Sequence, residues 1–305
     1  MSTLRVSTFS GASSLPLLAA QEQGLFAKAG VDVEIVQTRS SDEMMSGLLD
    51  GTYPIVHAAP DNFIAWRDRT GARIVAWIGG TSGPLALVAQ PEIRSVEELR
   101  GRSIAVDAVS SGFVSVLRTL LRDAGLGPDD VTLEPLGATH LRAQALRDRR
   151  ADASMLTLPW SAAAERDGFS ILADARAARP RLQGSSAGSL EPWLAEHADA
   201  ADAYLRAIVA ALTWLQLPES REPARDLLRR RYDIEEDLAE VVRASLTDPI
   251  TGWSPSALVH PSGIEAVCEL RTENGMPPAS PPGTYVSLDP YRRVLGFGLL
   301  EGSGA

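Results

Sequence analysis

The sequence predicts an α/β protein built in two units, and three observations carry that reading. Strand-type and helix-type hydrophobic periods alternate from Leu4 to Arg166, the pattern of mainly parallel sheets with helices packed on their faces. The 305 residues exceed one ordinary core at about 150 residues per domain. After about Gly188 the strand patterns give way to a helix-dominated tail.

Taken in order, Leu4–Phe9 is rich in β-branched and aromatic residues and reads as a strand, followed by the small polar run Ser10–Ser14 and a helix from Leu15 to Gln23 that Gly24 ends. Val31–Val36 alternates apolar and acidic residues as a half-buried strand, and Thr38–Asp42 leads into a helix with Met44, Met45, Leu48 and Leu49 at core spacing. Pro54–Val56 is a short strand and Pro60–Arg67 a helix with proline at a permitted early position. Ala72–Ile78 and Leu85–Ala89 read as strands. A second series follows, with a capping box for a short helix at Ser95 and Glu98, a strand at Ser103–Val106, and an amphipathic helix bearing Phe113, Val116, Leu117, Leu120 and Leu121 before Gly125. Val131–Glu134, Leu141–Arg147, Ala153–Met155 and Trp160–Arg166 complete the alternation. The tail reads as helices at Asp199–Leu217, Arg221–Arg231, Glu235–Leu246, Ser262–Arg271 and Leu288–Leu295, with a proline-rich loop at Met276–Gly283.

Composition narrows the chemistry. The net charge of −10, from 29 basic and 39 acidic residues, repels phosphate backbones and anionic lipid surfaces, so nucleic-acid binding is not expected. The one lysine, Lys28, is no Schiff-base or Walker-type candidate, and the single Cys268 excludes an intrachain disulfide framework and a thiolate metal cluster. His57, His140, His197 and His260 are scattered without metal-ligand spacing, so neither metal nor other cofactor is expected. No segment reaches the roughly 18 apolar residues of a membrane span, and membrane insertion is not expected. The start MSTLRVSTFSGASS lacks the basic and apolar regions of a secretory signal, which implies a cytoplasmic chain if Met1 is the native start and an extracytoplasmic one if a leader was removed.

An ordered series of short segments resembles the substrate-binding proteins of ABC importers for nitrate, sulfonates, taurine and thiamine-pyrimidine precursors. It comprises Leu4–Phe9 with its polar loop, AAQEQGLFAKAG at Ala19–Gly30, GLLDG at Gly47–Gly51, PIVH at Pro54–His57, LRGRSIAVD at Leu99–Asp107, DASMLTLPW at Asp152–Trp160, and PITGWSP at Pro249–Pro255 through YVSL at Tyr285–Leu288. The loop TRSSD at Thr38–Asp42 departs from the glycine-rich stretch many members carry there, and the export signal of such proteins is missing. The resemblance implies a two-lobe periplasmic-binding-protein type II-like fold, each lobe a mostly parallel sheet flanked by helices. Lobe 1 is expected over 1–84 plus 190–305 and lobe 2 over 85–189, with hinges at Gly79–Pro84 and Gly184–Ser189. It implies capture of a small organic ligand, anionic or aromatic, and an ABC permease as partner.

Ligands of open α/β sheets bind beyond the carboxyl ends of strands, where loops enter helices. That rule singles out Ser10, Gly11, Ser13 and Ser14 after the first strand as backbone and hydroxyl donors, or as ordinary helix caps. Arg39 and Ser40 after the second strand form a candidate anion clamp, or a solvated arginine beside a serine cap. His57, Ala59, Asp61 and Asn62 follow the third strand, where a histidine either meets the ligand or bonds a neighbour such as Asp61. Ser110 and Ser111 open the Phe113 helix as a candidate anion site or cap. Thr157 and Trp160 supply a candidate hydrogen bond and an apolar wall, Trp160 being otherwise a buried anchor. The alternative is a cytoplasmic enzyme or ligand sensor on the same fold, of decarboxylase, lyase or hydrolase type, with His57 as acid or base.

Overall fold

The computed structural model describes residues 3–81, 85–175, 181–248 and 252–296. Two five-stranded sheets form the frame. The first contains β1 (Leu4–Thr8), β2 (Val33–Gln37), β3 (Ile55–Ala58), β4 (Ile74–Gly79) and β10 (Ser186–Leu190) in the order β2-β1-β3-β10-β4. The second contains β5 (Leu85–Ala89), β6 (Ser103–Val106), β7 (Thr132–Pro135), β8 (Ala153–Thr157) and β9 (Ser170–Asp174) in the order β7-β6-β8-β5-β9. β1 pairs in parallel with β2 and β3, whereas β10 is antiparallel to both of its neighbours. In the second sheet β6 pairs in parallel with β7 and β8, and β5 is the reversed strand. Each mixed sheet is therefore mostly parallel with one reversed member, and that member is the first strand after the chain passes from the other sheet. The chain must cross twice between the lobes.

The crossings run side by side. Gly184 N and Ser185 N both donate to Thr81 O at 3.1 Å, and Gly80 N donates to Ser185 O at 3.0 Å. The small-residue hinge expected over Gly184–Ser189 is shorter than that, because Ser186–Ser189 belongs to β10; Ser82, Gly83 and Pro84 of the other expected hinge lie outside the described residues. β10 has no β-branched residue, which hid it from the sequence reading. Its small side chains are a packing requirement: a Cβ on Gly188 would fall 2.6 Å from the Phe63 ring. β9 is likewise a strand the alternation did not reveal.

Most helices fall where the periodicity puts them, the short Leu25–Ala29 and Glu191–Glu196 excepted. α1 (Leu15–Glu22) and the short α2 (Leu25–Ala29) follow β1, and α3 (Ser41–Leu49) and α4 (Pro60–Thr70) follow β2 and β3. α5 (Gly112–Asp123), α6 (Thr139–Arg147) and α7 (Trp160–Arg166) flank the second sheet. The tail helix Ala198–Gln216 returns to the first core, burying Tyr204, Leu205, Ile208, Leu212 and Leu215 beside Val6, Leu15, Leu17 and Trp77. Each such aliphatic side chain contributes about 1.5–3 kcal/mol, so this helix is integral to the first lobe. The helix Pro261–Glu273 instead touches both lobes: Ile264, Val267 and Cys268 pack with α3 and α4, while Leu270 enters the core of the second sheet. Among the described residues no helix is long and apolar enough to cross a membrane.

Candidate functional site

The carboxyl ends of both sheets face one another across a cavity of about 650 Å³, its mouth included. Loops after β1, β3, β6, β7 and β8 all reach it. A second, more apolar hollow, lined by Leu85, Val116, Leu182 and Leu270, shares the wall of Ser13, Ala59, Phe113 and Thr157 with the first.

From the first lobe, Ser10, Gly11 and Ser13 line the cavity on a loop held through the Gly11 carbonyl. Tyr232 donates its hydroxyl to Gly11 O at 2.5 Å and Ser14 Oγ donates to the same oxygen at 2.8 Å. His57 and Ala59 line it from the end of β3. His57 is buried with Nε2 2.8 Å from the Tyr204 hydroxyl, not against Asp61. Burial holds its pKa down to about 3 and pushes the Tyr204 phenol well up. The imidazole is thus neutral at physiological pH, a fixed hydrogen-bonding wall rather than a group poised to exchange protons there. Asp61 lines the apolar hollow, but both carboxylate oxygens are occupied: Oδ1 takes the Arg271 guanidinium at 2.9 Å and Oδ2 accepts from Ser115 at 3.3 Å.

From the second lobe come Asp107, Ser111, Thr139, Arg142 and Thr157. Asp107 Oδ2 accepts from Ser41 N at 3.3 Å and from the Ser41 hydroxyl, whereas its buried Oδ1 has no partner. Burial raises its pKa, opposed by the Ser41 bonds and the charge of Arg142. Arg142 is only 1% exposed; its Nη2 donates to Thr139 Oγ1 at 2.9 Å, and Nε is unpartnered. Burial lowers its pKa to about 10, which leaves it charged near neutrality. Phe9, Phe113 and Trp253 supply aromatic wall, with the Trp253 ring 6.5 Å from that of His57.

The lobes are closed on one another around this space. Gly112 N donates to Asn62 Oδ1 at 3.1 Å, and Ser41 N donates to Asp107 Oδ2 at 3.3 Å. Ala138 N donates to Arg39 O at 2.9 Å and Ser110 Oγ to Asp42 at 3.1 Å. Glycine is required at 112 by proximity: a Cβ there would lie 2.8 Å from the Asp61 Cβ and 3.1 Å from that of Ala59.

Of the residues singled out from sequence, Ser10, Gly11, Ser13, His57, Ala59, Asn62, Ser111 and Thr157 line the polar cavity, and Asp61 the apolar hollow. Arg39, Ser40, Ser110 and Trp160 do not. Arg39 is exposed and contributes its carbonyl to the seam, Ser40 caps α3 through Glu43 N at 3.2 Å, and Ser110 is exposed at the rim. Trp160 packs between His140 and Tyr232, 6.3 Å from each ring, as a structural anchor. The buried arginine is Arg142 and the tryptophan wall is Trp253. The signal for Arg142 was available in the strand-end rule applied to β7, since Gly137–Thr139 opens α6 just as Ser40–Ser41 opens α3.

No curated protein matches the sequence. Solved structures with the same fold are numerous. The alkanesulfonate-binding protein SsuA from Xanthomonas axonopodis pv. citri, bound to MOPS, superposes with TM-score 0.76 at 18% identity over 91% of this chain and 95% of that one. The periplasmic nitrate-binding protein NrtA from Synechocystis PCC 6803 gives 0.77 at 14% over 96% and 88%. A ligand-binding component of an ABC-type import system from Staphylococcus aureus gives 0.78 at 15% over 97% and 100%. These likenesses establish the periplasmic-binding-protein fold. The family model described as NMT1/THI5 like matches residues 12–219, more than half of the sequence, and the chain belongs to that family.

Proposed function

We propose that this chain is a solute-binding protein that closes its two lobes on a small organic molecule and presents it to an ABC permease. The observation that carries the reading is the cavity itself, enclosed by strand-end loops of both lobes, with neutral hydrogen-bonding groups on one wall and buried charge on the other. Such a site gains its affinity from closure and needs no covalent step. Lobe 1 comprises 1–84 plus 186–305 and lobe 2 comprises 85–185, the boundary expected at 190 moving back because β10 belongs to the first sheet, with bending at the paired Thr81 and Gly184–Ser185 crossings. The contact residues are Ser10, Gly11, Ser13, His57, Ala59, Asn62, Ser111 and Thr157, joined by Asp107, Thr139, Arg142 and Trp253. Arg142 favours an anionic group and the aromatic walls an apolar or aromatic body.

Thermal-shift titration with small carboxylates, sulfonates and pyrimidines tests the reading. At least one is expected to raise Tm progressively with concentration and to remain chemically intact. Consumption of the best binder, abolished in His57→Ala while binding persists, would replace a receptor with an enzyme.

A further inference from the structure

Asp107 and Arg142 line the same cavity, 6% and 1% exposed, yet they do not form an ion pair with each other. Each is tethered elsewhere, Asp107 by Ser41 and Arg142 by Thr139. What remains is one unpartnered carboxylate oxygen, one unpartnered guanidinium Nε and, beside them, the unpartnered hydroxyl of Ser111. Burying charge without full compensation is costly, and the usual remedy is direct pairing. This fold uses that remedy at Asp61 and Arg271 but not here.

Resting on the solute-binding reading above, the geometry points to a bifunctional ligand: an apolar body bearing at one end an anionic acceptor for Arg142 and an N–H donor for Asp107. A purely anionic ligand satisfies Arg142 but leaves Asp107 Oδ1 unmatched and adds repulsion. A purely cationic one reverses the fault. A molecule carrying both groups completes both residues, while Phe9, Phe113 and Trp253 enclose its body.

The test uses three probes with one phenyl body in isothermal titration: phenylalanine with both groups, hydrocinnamate with the carboxylate alone, and phenethylamine with the amine alone. 4-(Aminomethyl)benzoate samples a wider spacing of the two groups. A bifunctional probe is expected to bind about 10–100-fold tighter than either singly charged one, the effect of one charged hydrogen bond. Asp107→Asn should erase its advantage over hydrocinnamate, and Arg142→Met its advantage over phenethylamine; the probe ranking on the unaltered protein stands even if a variant fails to fold. Equal or tighter binding of a singly charged probe overturns the inference. If no bifunctional probe binds but singly charged acids raise Tm in the broader screen, this inference fails and the solute-binding reading survives. If no solute of any class binds, both fail.

Discussion

Two buried aspartate and arginine sets sit within one seam of this molecule and are built in opposite ways. Asp61 and Arg271 lie in direct contact at 2.9 Å, and Ser115 from the other lobe occupies the remaining carboxylate oxygen. Asp107 and Arg142 are as deeply buried but are held apart, each with a polar atom to spare. The first set is paired directly within the protein, with Arg271 Nε alone left without a partner, and braces the helix Pro261–Glu273 against α4. The second is left for something else to complete. Burial of charge alone therefore does not mark a binding group; the state of its partners does.

The largest effect expected from disturbing this contrast is on stability. Asp61→Ala strands the buried Arg271 charge and should lower unfolding free energy by about 3–5 kcal/mol in urea titration, with much of the loss recovered when Arg271→Met is added. A smaller cost for Asp61→Ala than for Asp107→Asn would break the comparison. His57 gives a pH signature. Its folded pKa of about 3 lies below the 6.5 of the unfolded chain, so the unfolded state takes up the proton first. The stability from the neutral imidazole is complete above pH 6.5 and is lost as pH falls toward 3, at about 1.4 kcal/mol per pH unit. Comparison of pH-stability curves should show this slope in the unaltered protein and its absence in His57→Gln.

Smaller effects sharpen the account of the seam. Gly112→Ala pushes a methyl group against Asp61 and Ala59, and should cost about 1–3 kcal/mol of overpacking and widen the cleft in small-angle scattering. Asp107→Asn retains an oxygen for Ser41 and breaks no direct ion pair, so its cost to stability should stay near 1 kcal/mol while ligand preference changes. Arg39→Ala is expected to shift stability by less than about 0.5 kcal/mol and to leave binding unchanged, because the side chain is exposed and away from the cavity.

The two sheets explain how much of this was legible in the sequence. Matching β6, β7, β8 and β9 to β1, β2, β3 and β4 gives one shared strand order, with the crossing strand inserted at the same place. Local hydrophobic alternation encodes the consecutive strands other than β9, so the α/β class and most helices could be read directly. The crossing partner β10 is written in small residues chosen by contact with Phe63 and Trp77, and such long-range packing leaves no local period. The strand-end rule led to His57, Asn62, Ser111 and Thr157. It misdirected attention to Arg39 because sequence position alone does not distinguish a side chain turned to solvent from one buried four residues into a helix, as Arg142 is. Trp253 takes the wall role expected of Trp160 for the same reason: which ring faces the cavity depends on packing against Tyr232 and His57.

The most direct test of the central claim follows the best-binding small acid by NMR in the presence of the unaltered protein. The expected result is a saturable one-to-one complex from which the acid is recovered unchanged, and its loss in Arg142→Met that still melts cooperatively. Chemical conversion of the acid, or undiminished binding to the folded variant, would contradict it.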